Sequence, residues 1–169
     1  MINHTKVSNS EPSETLRACF KMEMLCAELY RELAKVFPGN LFPKENYIFT
    51  TLADSEDRHA FILKLSMRFD ETNKIHDKIT QDILPHINET VNMAEDFSSE
   101  IKAEKVSIEK VVEKALKIEE TVAEIYLHGF MTTKTDLKSV AYIQQFYHET
   151  KSHAEMLKEL MNEKGYCLD

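Results

Sequence analysis

Leu52-Ala53-Asp54-Ser55-Glu56-Asp57-Arg58-His59-Ala60-Phe61-Ile62-Leu63 is the stretch on which the fold turns. Taken as a helix, it puts Glu56 and His59 three residues apart on one face, the face that also carries Leu52, Ile62 and Leu63. A carboxylate and an imidazole are then aimed where a helix normally places only hydrocarbon. Burying such groups without partners is costly, and a metal ion is the usual compensation. One Glu-x-x-His motif is weak alone, so its meaning depends on whether other segments supply partners at the same depth.

Outward from that motif, the same periodicity predicts a helix from Glu45 to Phe69. Pro38-Gly39 separates it from a preceding helix that starts at the N-cap Ser13 and runs to Val36. The inward face of that first helix reads Leu16, Cys19, Phe20, Glu23, Cys26, Ala27, Tyr30 and Leu33, apolar or aromatic at every step except Glu23. Residues 1–12 are polar and expected to be mobile. Over 70–105 apolar residues thin out and Pro85 interrupts them, with Ile79, Ile83, Ile87, Val91 and Ala94 suggesting one or two helical pieces. A connection of that length is expected to cross from one end of a bundle to the other. Ser107 then caps a third helix running to Phe130, with inward Ile108, Val111, Val112, Ala115, Glu119, Val122 and Tyr126. A short turn over 131–136 leads to a fourth helix from Leu137 to Glu163, ended by Gly165. Its inward face is Val140, Ile143, Phe146, Tyr147, Thr150, His153, Leu157 and Met161.

The chain repeats itself. Lys21-Met22-Glu23-Met24-Leu25-Cys26-Ala27-Glu28-Leu29-Tyr30 aligns without a gap on Lys117-Ile118-Glu119-Glu120-Thr121-Val122-Ala123-Glu124-Ile125-Tyr126. His59-Ala60 and Leu63-Lys64 likewise match His153-Ala154 and Leu157-Lys158. Helices one and two are echoed by three and four, polar intruders included, as a duplicated helical pair requires.

Composition bounds the rest. The chain has 169 residues, enough for one domain with a substantial core, and only 3 Gly and 4 Pro, which favours long helices over turns. The formal charge of −8, with acidic and basic residues interleaved, disfavours nucleic acid and anionic membrane as partners. No apolar run is long enough to span a bilayer and no leader-like stretch opens the chain, so a cytoplasmic location is expected. Cys19, Cys26 and Cys167 form no Cys-x-x-Cys pair, which argues against a disulfide framework, a zinc knuckle or a rubredoxin-like iron site.

Glu23, Glu56, His59, Glu119 and His153 each fall near the middle of a helix. A helix rises about 1.5 Å per residue, so in an antiparallel four-helix bundle these positions meet in one layer. Three carboxylates and two imidazoles at one level cannot stay dry and charged without cations. Their oxygen and nitrogen donors suit iron or manganese, with zinc as a competitor. The bland alternative is a set of core salt bridges and hydrogen-bonded histidines. Tyr30 and Tyr126, two turns from Glu23 and Glu119, are core tyrosines bonded to something nearby or, alternatively, donors to a bridging carboxylate or radical traps. Cys19 and Cys26 read as small core residues.

Over residues 14–163, apart from the middle connection, this pattern resembles the ferritin-like, rubrerythrin-type di-iron proteins. Those take one Glu from each of two helices and Glu-x-x-His from each of the other two. The resemblance implies an all-α, ferritin-like antiparallel four-helix bundle with a long crossover between helices two and three. It also implies two iron ions held by Glu23, Glu56, His59, Glu119 and His153. Where the second Glu-x-x-His should have its glutamate, this chain has Thr150. Glu149, about 40° round the helix from His153, is the candidate sixth ligand. Glu120 is a further candidate by the same resemblance. The activity implied is oxidoreduction of hydrogen peroxide or O₂, as a peroxidase or ferroxidase, with electrons from an external donor and the chain as a homodimer. The competing expectation is a non-enzymatic bundle with a degenerate site, binding metal without turnover or none at all; cage-type iron storage fits the chain less well.

Overall fold

The computed structural model describes residues 14–69, 76–103, 106–131 and 138–166. The mobile N-terminus expected over 1–12, the Ser13 cap, the turn over 132–136 and Cys167 lie outside the described residues. Within them the chain is all-helical: α1 Glu14–Val36, α2 Pro43–Phe69, α3 His76–Lys102, α4 Ile108–Tyr126 with a π-helical turn Leu127–Met131, and α5 Lys138–Lys164. No strand occurs among the described residues.

The α1–α2 corner is closed by a side chain. The Asn46 amide nitrogen donates to the Ala34 carbonyl at 2.7 Å and to the Phe37 carbonyl at 3.0 Å, satisfying oxygens that the end of α1 would leave bare. Phe37 packs edge-on against Phe42, with ring centroids 5.2 Å apart. The second helix begins at Pro43, two residues earlier than expected, because proline suits a first helical position whose N–H has no partner anyway.

The segment expected as one or two pieces is a single helix, α3, with Pro85 inside it on an exposed face. An interior proline costs about 3 kcal/mol. Against that, Ile83, Ile87, Val91, Phe97 and Ile101 are buried. At about 1.5–3 kcal/mol per large apolar side chain, burial outweighs the break. This helix lies against α1 and α4 and also touches the π turn.

Ser107 caps α4 as expected, its hydroxyl accepting from the Lys110 N–H. The regular helix stops at Tyr126 rather than near Phe130, and its last turn widens into the π segment, where Gln144 donates to the Phe130 carbonyl at 2.9 Å. At the other end of α5, Gly165 adopts φ 69°, the left-handed conformation open to glycine. The Tyr166 N–H reaches back to the Met161 carbonyl at 3.0 Å, and the Gly165 N–H to Asn162 at 3.4 Å, a Schellman closure.

Helix α1 packs on α2, α4 on α5, and α2 on α5. Lys44–Glu163 and Lys164–Glu45 join the start of α2 to the end of α5, while Arg58–Glu149 joins their middles. These two helices therefore run antiparallel. The core they enclose includes Leu16, Met22, Tyr30, Phe49, Leu63, Val112, Tyr126, Phe146 and Leu157. No helix among the described residues is long and apolar enough to cross a membrane.

Candidate metal centre

Five carboxylate and imidazole side chains interrupt this core at mid-height. Glu23, Glu56, His59 and Glu119 are all but fully buried, and His153 nearly so. Each is there for a local reason: its helix is amphipathic, and the residue occupies a step on the stripe that faces the core.

The five form two groups with one member in common. Glu23, Glu56 and His59 offer ligand atoms within 4.8 Å of one another, and so do Glu56, Glu119 and His153. His59 Nδ1 lies 2.9 Å from Glu56 Oε2 and 3.6 Å from Glu23 Oε2. His153 Nδ1 lies 3.2 Å from both Glu56 Oε1 and Glu119 Oε2. Glu56 thus presents one oxygen to each histidine. The two imidazoles are nearly parallel, with centroids 6.1 Å apart.

The tyrosines complete the arrangement crosswise. Tyr30 on α1 donates to Glu119 Oε1 on α4, and Tyr126 on α4 donates to Glu23 Oε1 on α1. Both are core tyrosines, and the group each hydroxyl meets is a carboxylate of the cluster other than the shared Glu56. Burial raises both phenols well above their usual range, so they remain protonated donors.

Glu149 is placed apart from both groups. Its carboxylate accepts from the outer edge of His59, Nε2 to Oε2 at 3.0 Å, and from Arg58 Nη2 at 2.6 Å. Glu120 is on the surface, 2.7 Å from Lys158. Thr150 holds the inward position, fully buried, and its hydroxyl has no hydrogen-bond partner. Phe146, one turn before Glu149, stacks on His59 at 4.2 Å between ring centroids. Its inward periodicity was visible in the sequence, but its role as a wall for His59 was not. Arg58 gave no signal beyond standing next to His59.

Packing three carboxylates together sets their protonation. Burial, then the charge of Glu56, hold Glu23 and Glu119 above the usual carboxylate range. Burial would raise Glu56 too, but its contacts with Glu23, His59 and His153 outweigh that and hold it well below the range. Burial disfavours both imidazolium forms, yet the surrounding carboxylates push His59 well up and His153 to about 9. Without a cation, the cluster is therefore a network of shared protons.

No family model, curated protein or solved structure matches this chain. What the site can hold is decided on its own atoms. Glu23 Oε2 and Glu56 Oε1 are buried and accept no hydrogen bond, although Glu56 Oε1 is at ion-pair distance from His153. An unsatisfied buried acceptor costs about 1–3 kcal/mol, more when charged. A divalent cation in each group would use these oxygens together with an imidazole nitrogen, a donor set that iron, manganese and zinc accept. The residues fit a pair of metal ions.

Proposed function

We propose that the chain is a ferritin-like four-helix bundle, rubrerythrin-type, in which α1, α2, α4 and α5 hold two iron ions and α3 is the crossover. We further propose that it is an oxidoreductase acting on hydrogen peroxide or O₂, drawing electrons from a separate donor. The observation that carries this reading is the shared carboxylate, with Glu56 standing between the Glu23/His59 and Glu119/His153 groups. Two Fe(II) ions held there would supply the two electrons that take hydrogen peroxide to water, or O₂ to the peroxide level.

The chain's own residues supply the rest. Glu56 spans both positions, while Glu23 with His59 and Glu119 with His153 close their ends. The hydrogen bonds from Tyr126 and Tyr30 occupy Oε1 of Glu23 and Glu119, which fixes how each carboxylate is turned. Cys19 and Cys26 beside Glu23, and Phe146 over His59, are buried and set apolar surface against the layer. By the same resemblance the chain is proposed to act as a homodimer.

The test is anaerobic loading with Fe(II), removal of excess, a metal count, and then addition of hydrogen peroxide. Two irons per chain and a peroxide-dependent absorbance change are expected. Less than one metal per chain with no optical change would sink the oxidoreductase reading. Thr150 in place of a fourth carboxylate favours one competitor, a bundle that binds metal without turnover. Full loading with unchanged peroxide would select it.

A further inference from the structure

The carboxylate that the spacing offered as a sixth ligand stands behind a histidine. Glu149 Oε2 accepts from His59 Nε2 at 3.0 Å, and the same oxygen accepts from Arg58 Nη2 at 2.6 Å. Arg58 is tied back to its own helix by a 3.0 Å hydrogen bond to Ser55 Oγ. Phe146 lies over the ring of His59 with an interplanar angle of 25°. Phe146 and Glu149 are three residues apart on α5, so one turn of that helix restrains His59 twice. The aromatic face fixes the plane of the imidazole but leaves open its half-turn flip about the Cβ–Cγ bond, which keeps that plane. The carboxylate selects which edge points outward. With Nε2–H committed to Glu149, Nδ1 faces Glu23 and Glu56.

The other histidine is held differently. The polar contacts of His153 are both made by Nδ1, and among the described residues no carboxylate backs its Nε2. The repeat that relates His59 to His153 is therefore broken at this point.

We propose that Glu149 is a positioning residue, which with Arg58 as its counter-cation orients His59 and makes the Glu23/Glu56/His59 position the tighter of two unequal metal positions. The proposal rests on the metal-site reading above. A carboxylate hydrogen-bonded to the far nitrogen of a ligating imidazole fixes its orientation and raises its basicity, and removing such a partner commonly lowers metal affinity about 10–100-fold. Glu149 sits partly in solvent, with 37% of its side chain exposed, so its replacement leaves the core intact.

The experiment uses the full chain with Zn(II) in competition with a chromophoric chelator, together with nitrogen-resolved NMR of the histidine rings. The wild type should bind two Zn(II) in steps of unequal affinity. Glu149→Ala should weaken the tighter step about 10–100-fold and leave the weaker one in place. Glu149→Gln, whose side-chain oxygen can still accept from Nε2–H, should recover part of the loss. Glu155→Ala, which removes an exposed carboxylate from the same helix, should match the wild type. In metal-free protein the His59 Nε2–H proton should be visible and protected in the wild type and lost in Glu149→Ala. Two ions bound with equal affinity, or a Glu149→Ala chain matching wild type in both readouts, overturns the proposal and leaves the proposed function standing. A wild type that takes up no metal overturns the proposed function, and the His59 signal still decides whether Glu149 orients the ring.

Discussion

The hydroxyl of Tyr30 on α1 donates to the carboxylate of Glu119 on α4, while Tyr126, the repeat partner of Tyr30, donates to Glu23, the repeat partner of Glu119. Each helix of the duplicated pair thus supplies the acid for the other's phenol. The two hydrogen bonds cross the core in opposite senses between α1 and α4, and Glu56 alone is shared between the two ligand groups. That exchange gives each carboxylate one oxygen held by the protein and one turned to the cluster.

Tyr30→Phe and Tyr126→Phe each strip one donor from a buried acid and leave the ring packing in place. Each should lower the stability of metal-free protein by about 1–3 kcal/mol in urea unfolding. A change indistinguishable from zero for both would mean the carboxyls find other partners at no cost.

Glu56 belongs to both groups and each histidine to one, so metal content should respond unequally to their removal. After anaerobic Fe(II) loading, His59→Ala and His153→Ala should each retain about one ion per chain, and Glu56→Ala neither. Elemental analysis of the desalted proteins decides this. Equal losses in all three would point to one mononuclear position.

Metal-free protein should be most stable near pH 4.5, the ordinary value of the carboxyl group. Glu23, Glu119, His59 and His153 hold their protons more tightly when folded, so the stability they contribute is present at low pH and disappears as pH climbs through their folded values. With Glu23 and Glu119 raised above 4.5 and His153 at about 9, the fall should begin above pH 4.5 and extend to about 9. Glu56 and Glu149 lie below their ordinary values, Glu149 at about 2. Their contribution is present above pH 4.5 and vanishes as pH drops towards 2. Melting temperatures of chelator-treated protein across this range give the test, and a curve that rises from pH 6.5 to 9 would contradict it.

Thr150 buries a hydroxyl that has no partner. Thr150→Val keeps the branched shape and removes the unsatisfied group, so the metal-free protein should gain up to about 1 kcal/mol. Chemical denaturation measures it. A loss of that size would show that the hydroxyl is hydrogen-bonded in solution.

How much of this was legible follows from what each feature depends on. The positions of α1, α2 and α5, the stop at Pro38-Gly39 and the Ser107 cap are local, because periodicity and capping are properties of neighbouring residues. The burial of Glu23, Glu56, His59, Glu119 and His153 was equally readable, since a residue on the apolar stripe of a helix must enter the core. The continuity of α3 through Pro85 was not. Its cost is written in the sequence, but the surface of α1 and α4 that offsets it is supplied from elsewhere in the chain.

The sequence by itself determined a duplicated all-helical chain with five polar residues committed to its interior, because the 3.6-residue repeat sets which side chains face inward. Only the tertiary structure decided that Tyr30 and Tyr126 exchange partners, that Glu56 is the shared acid, and that Glu149 turns to His59 and Arg58. Those outcomes depend on how far each helix is slid and rotated against the next. A residue on the flank of a stripe, as Glu149 is, takes its direction from whichever charges the neighbouring helix brings alongside.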